Sequence, residues 1–228
     1  MPTTNVYIDG FNLYYCGVKD TPYKWLNLLL LSQNLFPGKV IKRIRYFTAK
    51  VIDLPNDPLA HERQEIYWRA LKTIPNIEII HGHFVSRVKP FPQYPPVIIP
   101  GTIPPQLKRV HILKREEKGS DVNLAAYLIY DNCLRDADES IVISNDSDLA
   151  HAIELVTNAK HLGRSVTVVN PNRTSLVRKY PDNHKMQSEL RRVATQPVNS
   201  INESVLANSQ FASPLADARG SFTKPSSW

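Results

Sequence analysis

Carboxylate and amide side chains stand directly after two short apolar runs of this sequence, where they could do chemistry together. Both runs have the composition of strands that are buried on both faces of a parallel sheet. In open parallel sheets, ligands bind at the edge formed by the carboxyl ends of the strands. A further carboxylate opens a later apolar helical pattern. These side chains belong to Asp9, Asn12, Asp121, Asp146 and Asp148.

Four carboxylates in one crevice would repel each other unless a divalent cation neutralised them. Oxygen ligands favour Mg²⁺ or Mn²⁺ over zinc. The sequence therefore indicates a metal site, and a basic surface beside it would suggest phosphodiester hydrolysis. A simpler alternative stays open, because Asp is a favoured residue at helix N-termini. Asp121, and either Asp146 or Asp148, would then only cap a helix.

Strands that alternate with helices must position these side chains. Apolar β-branched runs predict strands at residues 5–9, 40–47, 77–84, 109–113, 141–143 and 165–169. This alternation predicts an α/β fold with a parallel sheet. If the strand order reverses at the first strand, its end lies beside the end of the strand at residues 141–143.

We expect one domain over residues 1–194, with a proline-rich insert at about 88–107. Seven prolines between Pro90 and Pro105 exclude a helix and a central strand, so the insert is predicted to be a loop or a loosely attached flap. Residues 195–228 are rich in Ser, Asn, Pro and Ala and carry apolar residues singly. This composition predicts a disordered tail.

The formal net charge of +7 fits a polyanionic partner, because phosphates attract Lys and Arg. The candidate phosphate contacts are Lys42, Arg43, Arg45, Arg115 and Lys118.

No secretory signal or membrane-spanning run is visible, and Cys16 and Cys133 are predicted to be buried thiols. A cytoplasmic protein is the expectation. The eight glycines include no Gly-x-Gly pair, so no dinucleotide fingerprint is present.

Three blocks of the sequence, in this order and spacing, resemble the signature blocks of the NYN domain family in its LabA-like branch, part of the PIN-like nuclease superfamily. The blocks are Tyr7-Ile8-Asp9-Gly10-Phe11-Asn12, Lys118-Gly119-Ser120-Asp121 and Ser144-Asn145-Asp146-Ser147-Asp148-Leu149. The resemblance covers about residues 4–170. It implies a PIN-like three-layer α/β/α sandwich with a central, mostly parallel sheet.

The resemblance also implies the active site of a metal-dependent ribonuclease. Its metal ligands would be Asp9, Asp121, Asp146 and Asp148, with Asn12 and Ser144 as supporting polar groups. Many relatives carry a further acid in the helix after the second block, where this chain has Ala125-Ala126-Tyr127-Leu128. That difference weakens a second metal position.

The leading hypothesis is an endoribonuclease that hydrolyses RNA with carboxylate-bound Mg²⁺ or Mn²⁺. One alternative is a catalytically weak RNA-binding or regulatory module, motivated by Tyr127. Another is a small-molecule metabolic enzyme on the same fold, since some members of the family are described as hydroxylases of pyridine-ring compounds. A homodimer is the assembly considered for all three.

Overall fold

The computed structural model describes residues 2–53 and 55–228. The strands are β1 Thr3–Asp9, β2 Val40–Thr48, β3 Ile77–His81, β4 His83–Pro92, β5 Arg109–Lys118, β6 Glu139–Ile143, β7 Ser165–Val169, β8 Gln196–Val198, β9 Leu215–Asp217 and β10 Gly220–Phe222. The helices are α1 Gly10–Asn12, α2 Leu28–Leu35, α3 Ala60–Leu71, α4 Ser120–Cys133, α5 Ala150–Thr157, α6 Thr174–Lys179, α7 Pro181–His184, α8 Ser188–Val193 and α9 Glu203–Ala207. A π-helical turn, Leu13–Val18, continues α1, and a 3₁₀ turn, Ser147–Leu149, precedes α5.

The central sheet has six parallel strands in the order β3-β2-β1-β6-β7-β8. Successive side chains of a strand point to opposite faces. Val6 and Ile8 of β1 therefore pack on the layer that contains α2 and α3, through residues such as Leu31. Tyr7 packs on the opposite layer, which contains α4 and α5, through residues such as Leu128. These two cores confirm the predicted three-layer α/β/α sandwich.

A glycine sets the sharp exit from β1 that places Asp9 at the sheet edge. A Cβ atom on Gly10 would lie 2.7 Å from the carbonyl oxygen of Phe47 and 2.7 Å from the ring of Tyr46. Such distances are shorter than van der Waals contact, so α1 can begin against β2 only if this residue has no side chain.

The proline-rich insert forms the outer part of a hairpin. Residues 93–108, with five of the seven prolines, connect the two strands as the predicted loop, whereas Pro90 and Pro92 lie in β4. β4 and β5 pair along their whole length as an antiparallel hairpin. The backbone N–H of Gln93 donates to Lys108, so by alternation the nitrogens of Pro90 and Pro92 point away from the partner strand. A two-stranded ribbon has such outward positions, and therefore it tolerates prolines that a central strand would reject. The strand predicted over 77–84 accordingly ends at His81.

Residues 195–228 are packed against the domain, so the prediction of a disordered tail is wrong. β8 is the sixth strand of the sheet. Trp25 is 1% exposed, and its ring lies 5.7 Å from Phe211 and 6.4 Å from both Phe222 and Trp228, centroid to centroid. The indole Nε1 donates to the carbonyl oxygen of Ala212 at 3.1 Å. The scattered aromatic residues of this segment therefore cover one large buried side chain.

Arg45 belongs to the interior and does not form the basic surface that the sequence predicted. It is 5% exposed, and its Nε and Nη2 donate to the two carboxylate oxygens of Asp131 at 2.8 and 3.0 Å. The hydroxyl of Tyr7 donates to the same carboxylate at 2.9 Å. The ring of Tyr127 lies 4.2 Å from the guanidinium carbon. The helix α4 thus covers the strand face that was assigned to phosphate contacts.

The remaining predicted contacts of β2 are also engaged within the chain. Lys42 and Arg43 both pair with Asp136, at 2.9 and 3.5 Å. Both cysteines are free, Cys16 is half-buried and Cys133 is exposed, so the prediction of buried thiols is wrong for Cys133.

Among the helices of residues 2–53 and 55–228, none combines the length and apolar character needed to cross a membrane.

The buried pair of Arg45 and Asp131 gives a stability prediction. We expect Asp131→Ala to lower the free energy of unfolding by about 3–5 kcal/mol, because it leaves a buried guanidinium without its carboxylate. Glu78→Ala is the matched control, since Glu78 pairs with the same Arg45 but its side chain is 45% exposed. For that control we expect a loss below about 1 kcal/mol. Urea unfolding measures both, and equal losses would contradict the assignment.

The tail gives a second prediction. Removing residues 195–228 should lower the melting temperature by more than about 10 °C or abolish folding, because it strips the cover from Trp25 and one strand from the sheet. Phe211→Ala in the full chain should act in the same direction, with a loss of about 3–5 kcal/mol. Thermal melting followed by circular dichroism tests both. An unchanged melting temperature in the shortened chain would show that the tail contributes no stability.

Candidate active site

Asp9 is the buried centre of the candidate site. It is 4% exposed, at the carboxyl end of β1. Its Oδ1 accepts a hydrogen bond from the backbone N–H of Asn12 at 2.9 Å, which caps α1. Its Oδ2 accepts a hydrogen bond from the hydroxyl of Ser144 at 2.9 Å. One carboxylate thus caps a helix and joins the ends of two neighbouring strands.

A hydrogen-bond network links the first and third sequence blocks at this edge. The Oδ1 of Asn12 accepts from the backbone N–H of Asn145 at 3.0 Å, and the Oγ of Ser144 accepts from that of Asp146 at 3.1 Å. Asn145 was not among the predicted site residues, yet its side chain bonds the backbone of Lys185 and of Gln187 at 3.0 and 2.9 Å. The network holds the predicted polar groups in place.

The alternative that an aspartate only caps a helix was considered for Asp121, Asp146 and Asp148, and it applies to one of them. Asp146 caps the 3₁₀ turn, since its Oδ1 accepts the backbone N–H of Asp148 at 2.9 Å. Asp148 is exposed. The N-cap of α4 is Gly119, in the left-handed conformation at φ 97°, and Asp121 follows in the first turn. Capping therefore explains the position of Asp146 but not that of Asp121.

The carboxylates share one electrostatic environment. Burial raises the pKa of Asp9 to about 6, hydrogen bonds from Asn12 and Ser144 oppose the rise, and the charges of Asp121 and Asp146 add to it. Burial likewise raises the pKa of Asp121 to about 6, and Asp146, Glu117 and Asp148 add to that rise. The structure thus brings the four predicted carboxylates into one region.

Glu117 is a fifth acid at this site, which sequence reasoning missed. It accepts hydrogen bonds from the backbone N–H and the hydroxyl of Ser120, at 3.1 and 2.8 Å. A Cβ atom on Gly82 would lie 2.4 Å from its Oε1, so the start of the hairpin passes directly beside it. Glu117 ends a charged strand rather than an apolar run, and therefore the pattern that found the other acids did not include it.

The donor set fits a hard divalent cation, because it offers only oxygen ligands and is negatively charged. Within residues 2–53 and 55–228, however, no three acidic, histidine or cysteine side chains converge closely enough to hold one ion. Binding Mg²⁺ or Mn²⁺ would therefore require rotation of these side chains. The proposed ligands remain Asp9, Asp121, Asp146 and Asp148.

A cavity of about 220 Å³ lies on the α3 side of β1, and Asp9 itself is not among the residues that line it. Its aromatic walls are Phe11, Tyr14, Tyr15, Tyr46, Tyr67 and Trp228. Gly10, next to Asp9 in the chain, is part of the wall. Tyr46, another wall residue, lies on β2 opposite Ile8, the residue before Asp9. Four separate segments supply these walls, so no local motif indicated the cavity.

Of the predicted phosphate contacts, Arg115 and Lys118 lie on β5 and are exposed. Lys118 is 3.7 Å from the carboxylate of Glu116. The structure therefore separates the five basic residues among the interior, the start of β2 and the hairpin. It does not gather them into one surface.

Comparison with known proteins gives a distant relative in sequence and a structure of similar fold. The chain is 29% identical, over 247 aligned residues, to the 6-hydroxy-3-succinoylpyridine 3-monooxygenase HspA of Pseudomonas putida (strain DSM 28022 / S16), covering 99% of this chain and 75% of that protein. Its fold is similar to a protein of unknown function, VPA0982 of Vibrio parahaemolyticus RIMD 2210633, with a TM-score of 0.53, 16% identity and 92% and 96% coverage of the two chains. No family model matches the chain.

The sequence comparison overturns the ribonuclease hypothesis. HspA is an enzyme named for a small pyridine compound, and the similarity extends over 99% of this chain. The chain is thus similar throughout to an enzyme, but to a monooxygenase and not to an RNA hydrolase. The prediction of RNA cleavage is wrong, and the small-molecule alternative is favoured. The NYN resemblance and an RNA partner stay predictions.

The raised pKa of Asp9 gives a prediction about pH and stability. Its folded pKa of about 6 exceeds the unfolded value of about 3.9, so its contribution to stability is full below pH 4 and is lost as the pH rises through 6. In metal-free buffer at pH 7.5, Asp9→Asn should remove a penalty on the order of 2 kcal/mol. We expect the melting temperature of the variant, relative to wild type, to rise between pH 4.5 and pH 7.5.

Asp138→Asn is the control with the opposite sign. Hydrogen bonds from the backbone and hydroxyl of Thr3 lower the pKa of Asp138, so its carboxylate stabilises the fold at neutral pH. This variant should melt below wild type at pH 7.5. A loss of stability in Asp9→Asn that does not change with pH would mean that Asp9 serves only as a cap.

Proposed function

We propose that this chain is an enzyme that oxygenates a small pyridine-type aromatic molecule bound beside Asp9. One structural observation carries the proposal, namely the aromatic-walled cavity whose lining includes Gly10, the residue that follows the buried Asp9. The similarity to a monooxygenase named for a pyridine substrate supports the reaction type. Both point to a single aromatic ring rather than to a polymer.

The size of the cavity suits one ring with a short side chain. An apolar cavity of about 150 Å³ can bind benzene. The 220 Å³ available here leaves room for a ring and a few further atoms. Tyrosine and tryptophan rings hold an aromatic ligand by offset and edge-to-face contacts. The walls therefore provide both the apolar burial and the geometry that such a ligand needs.

Monooxygenation places one atom of O₂ in the substrate and reduces the other to water, with consumption of two electrons and two protons. An electron donor such as a reduced nicotinamide or reduced flavin has to supply the electrons. The chain itself would bind and orient the ring and exclude water from it. Asp9, with its pKa near 6, can accept or release a proton at its carboxylate close to neutral pH.

The acidic group beside the cavity is part of the proposal. Asp9, Asp121, Asp146 and Asp148 would hold a divalent cation, Mg²⁺ or Mn²⁺, after rotation of their side chains. Such an ion would act as a Lewis acid and would relieve the repulsion that adds to the effect of burial on the pKa of Asp9 and Asp121. Asn12 and Ser144 keep Asp9 in a fixed orientation through their hydrogen bonds to it.

Isotope labelling tests the proposed reaction. The full chain is incubated with 6-hydroxy-3-succinoylpyridine, reduced nicotinamide, flavin and Mn²⁺ under ¹⁸O₂, and the products are analysed by mass spectrometry. We expect one ¹⁸O atom in the aromatic product, and a loss of at least about 100-fold in rate for Asp9→Asn because it removes the central carboxylate of the proposed cation site. Asp138→Asn should retain the wild-type rate, because Asp138 bonds Thr3 and is not one of the site residues.

Two outcomes would contradict the proposal. Label that enters from H₂¹⁸O instead of ¹⁸O₂ would make the reaction a hydrolysis or hydration. Absence of any new aromatic product, with protein that melts cooperatively, would remove the pyridine compound as a substrate.

A further inference from the structure

We propose that Arg63 recognises a negatively charged side chain on the aromatic ligand, so that the cavity selects aromatic carboxylates over their neutral analogues. The inference rests on the proposed function in that it concerns the same cavity. It adds the residue that would distinguish an acidic aromatic ligand, such as the succinoylpyridine tested above, from a neutral one.

Arg63 lies on α3 and lines the cavity, with 20% of its side chain exposed. Its Nη2 donates to the Oδ1 of Asp57. A guanidinium has five N–H donors in a fixed fork. In the part of the chain that the structure describes, Asp57 is the only hydrogen-bond acceptor of this side chain, and none of its nitrogens is both buried and unpaired. A donor edge of Arg63 thus remains accessible to a ligand.

The charges of the cavity favour an anion. Its charged wall residues are Lys24, Arg63 and Asp57, which together carry a formal charge of +1. Arg63 and Asp57 form an ion pair, whereas Lys24 has no acidic partner within residues 2–53 and 55–228. A ligand carboxylate would balance the remaining positive charge, and it would match the planar fork of a guanidinium in a bidentate contact.

The charged end and the aromatic walls are close enough for one small ligand to reach both. Burial raises the pKa of Tyr14, the charge of Arg63 opposes that rise and the charge of Asp57 adds to it. Tyr14 is an aromatic wall residue and therefore borders the charged end. A ring against the aromatic walls would place a short acidic substituent at Arg63.

Asp57 makes the inference testable in two directions. Its carboxylate is 45% exposed, and it occupies one donor of the guanidinium that an incoming carboxylate would use. Removal of Arg63 should weaken the binding of an acid. Removal of the Asp57 charge by Asp57→Asn should strengthen it, because the repulsion disappears and the remaining amide oxygen is a weaker, neutral competitor for the guanidinium. A role confined to folding would not produce opposite effects on one ligand.

The experiment compares two probes of the same shape, pyridine-3-carboxylate and pyridine-3-carboxamide, by isothermal titration with the full chain at pH 7.5. Wild type should bind the acid more tightly than the amide. Arg63→Gln should weaken the acid by about 10- to 100-fold, the range for a lost charged hydrogen bond, and leave the amide within about twofold. Arg63→Lys should retain part of the preference, and Asp57→Asn should strengthen the acid alone.

Equal weakening of acid and amide by Arg63→Gln would overturn the inference, as would wild-type protein that binds neither probe. If Arg63→Gln does not fold, Asp57→Asn decides, since tighter acid binding supports the inference and unchanged or weaker binding opposes it. Arg63-dependent acid binding without ¹⁸O-labelled product would reject the oxygenase proposal and keep this one. Labelled product with no Arg63-dependent preference for the acid would keep the oxygenase proposal and reject the role of Arg63.

Discussion

The parallel pairing of β1 with both β2 and β6 is the constraint on which the rest of the structure depends. The chain order reverses at β1, so the ends of β1 and β6 face one crevice. The hydrogen bond from Ser144 to Asp9 spans that junction. On the other side of β1, Gly10 packs closely on β2 and forms part of the wall of the aromatic cavity. One strand thus places a carboxylate crevice and an apolar cavity next to each other.

Two buried aspartates show how differently the fold treats the same side chain. Asp131 lies against Arg45 and Tyr7, so its negative charge is matched by a guanidinium and a hydroxyl. Asp9 is as deeply buried, but it has neutral hydrogen-bond donors and acidic neighbours, and its pKa rises to about 6. The first arrangement stabilises a fold. The second is unfavourable for the metal-free fold at neutral pH, and uncompensated charge of this kind marks a functional site.

The cavity bears on which kind of substrate the carboxylates could act on. An open acidic crevice alone is compatible with hydrolysis of a long polymer, whose phosphates would lie along a basic surface. Here Arg45 is buried and the basic residues are dispersed, whereas a cavity with aromatic walls includes Gly10, the residue after Asp9, in its lining. Trp228, from the segment with the least regular sequence, supplies one of its walls. The packed tail therefore contributes to the shape of the site as well as to stability.

The sequence by itself determined the α/β alternation, the positions of the main strands and the three segments that carry Asp9, Asp121 and Asp146. These features follow from burial patterns among consecutive residues, and such patterns can be recognised locally. The hairpin, the packed tail and the interior position of Arg45 were decided only by the tertiary structure. Each depends on a partner distant in the chain, as Trp25 depends on Phe211 and Arg45 on Asp131. The cavity has the same origin, because its walls come from separate segments that only the folded chain assembles. The residue types thus indicated a group of carboxylates, whereas the packing of distant side chains determined the position and size of the cavity.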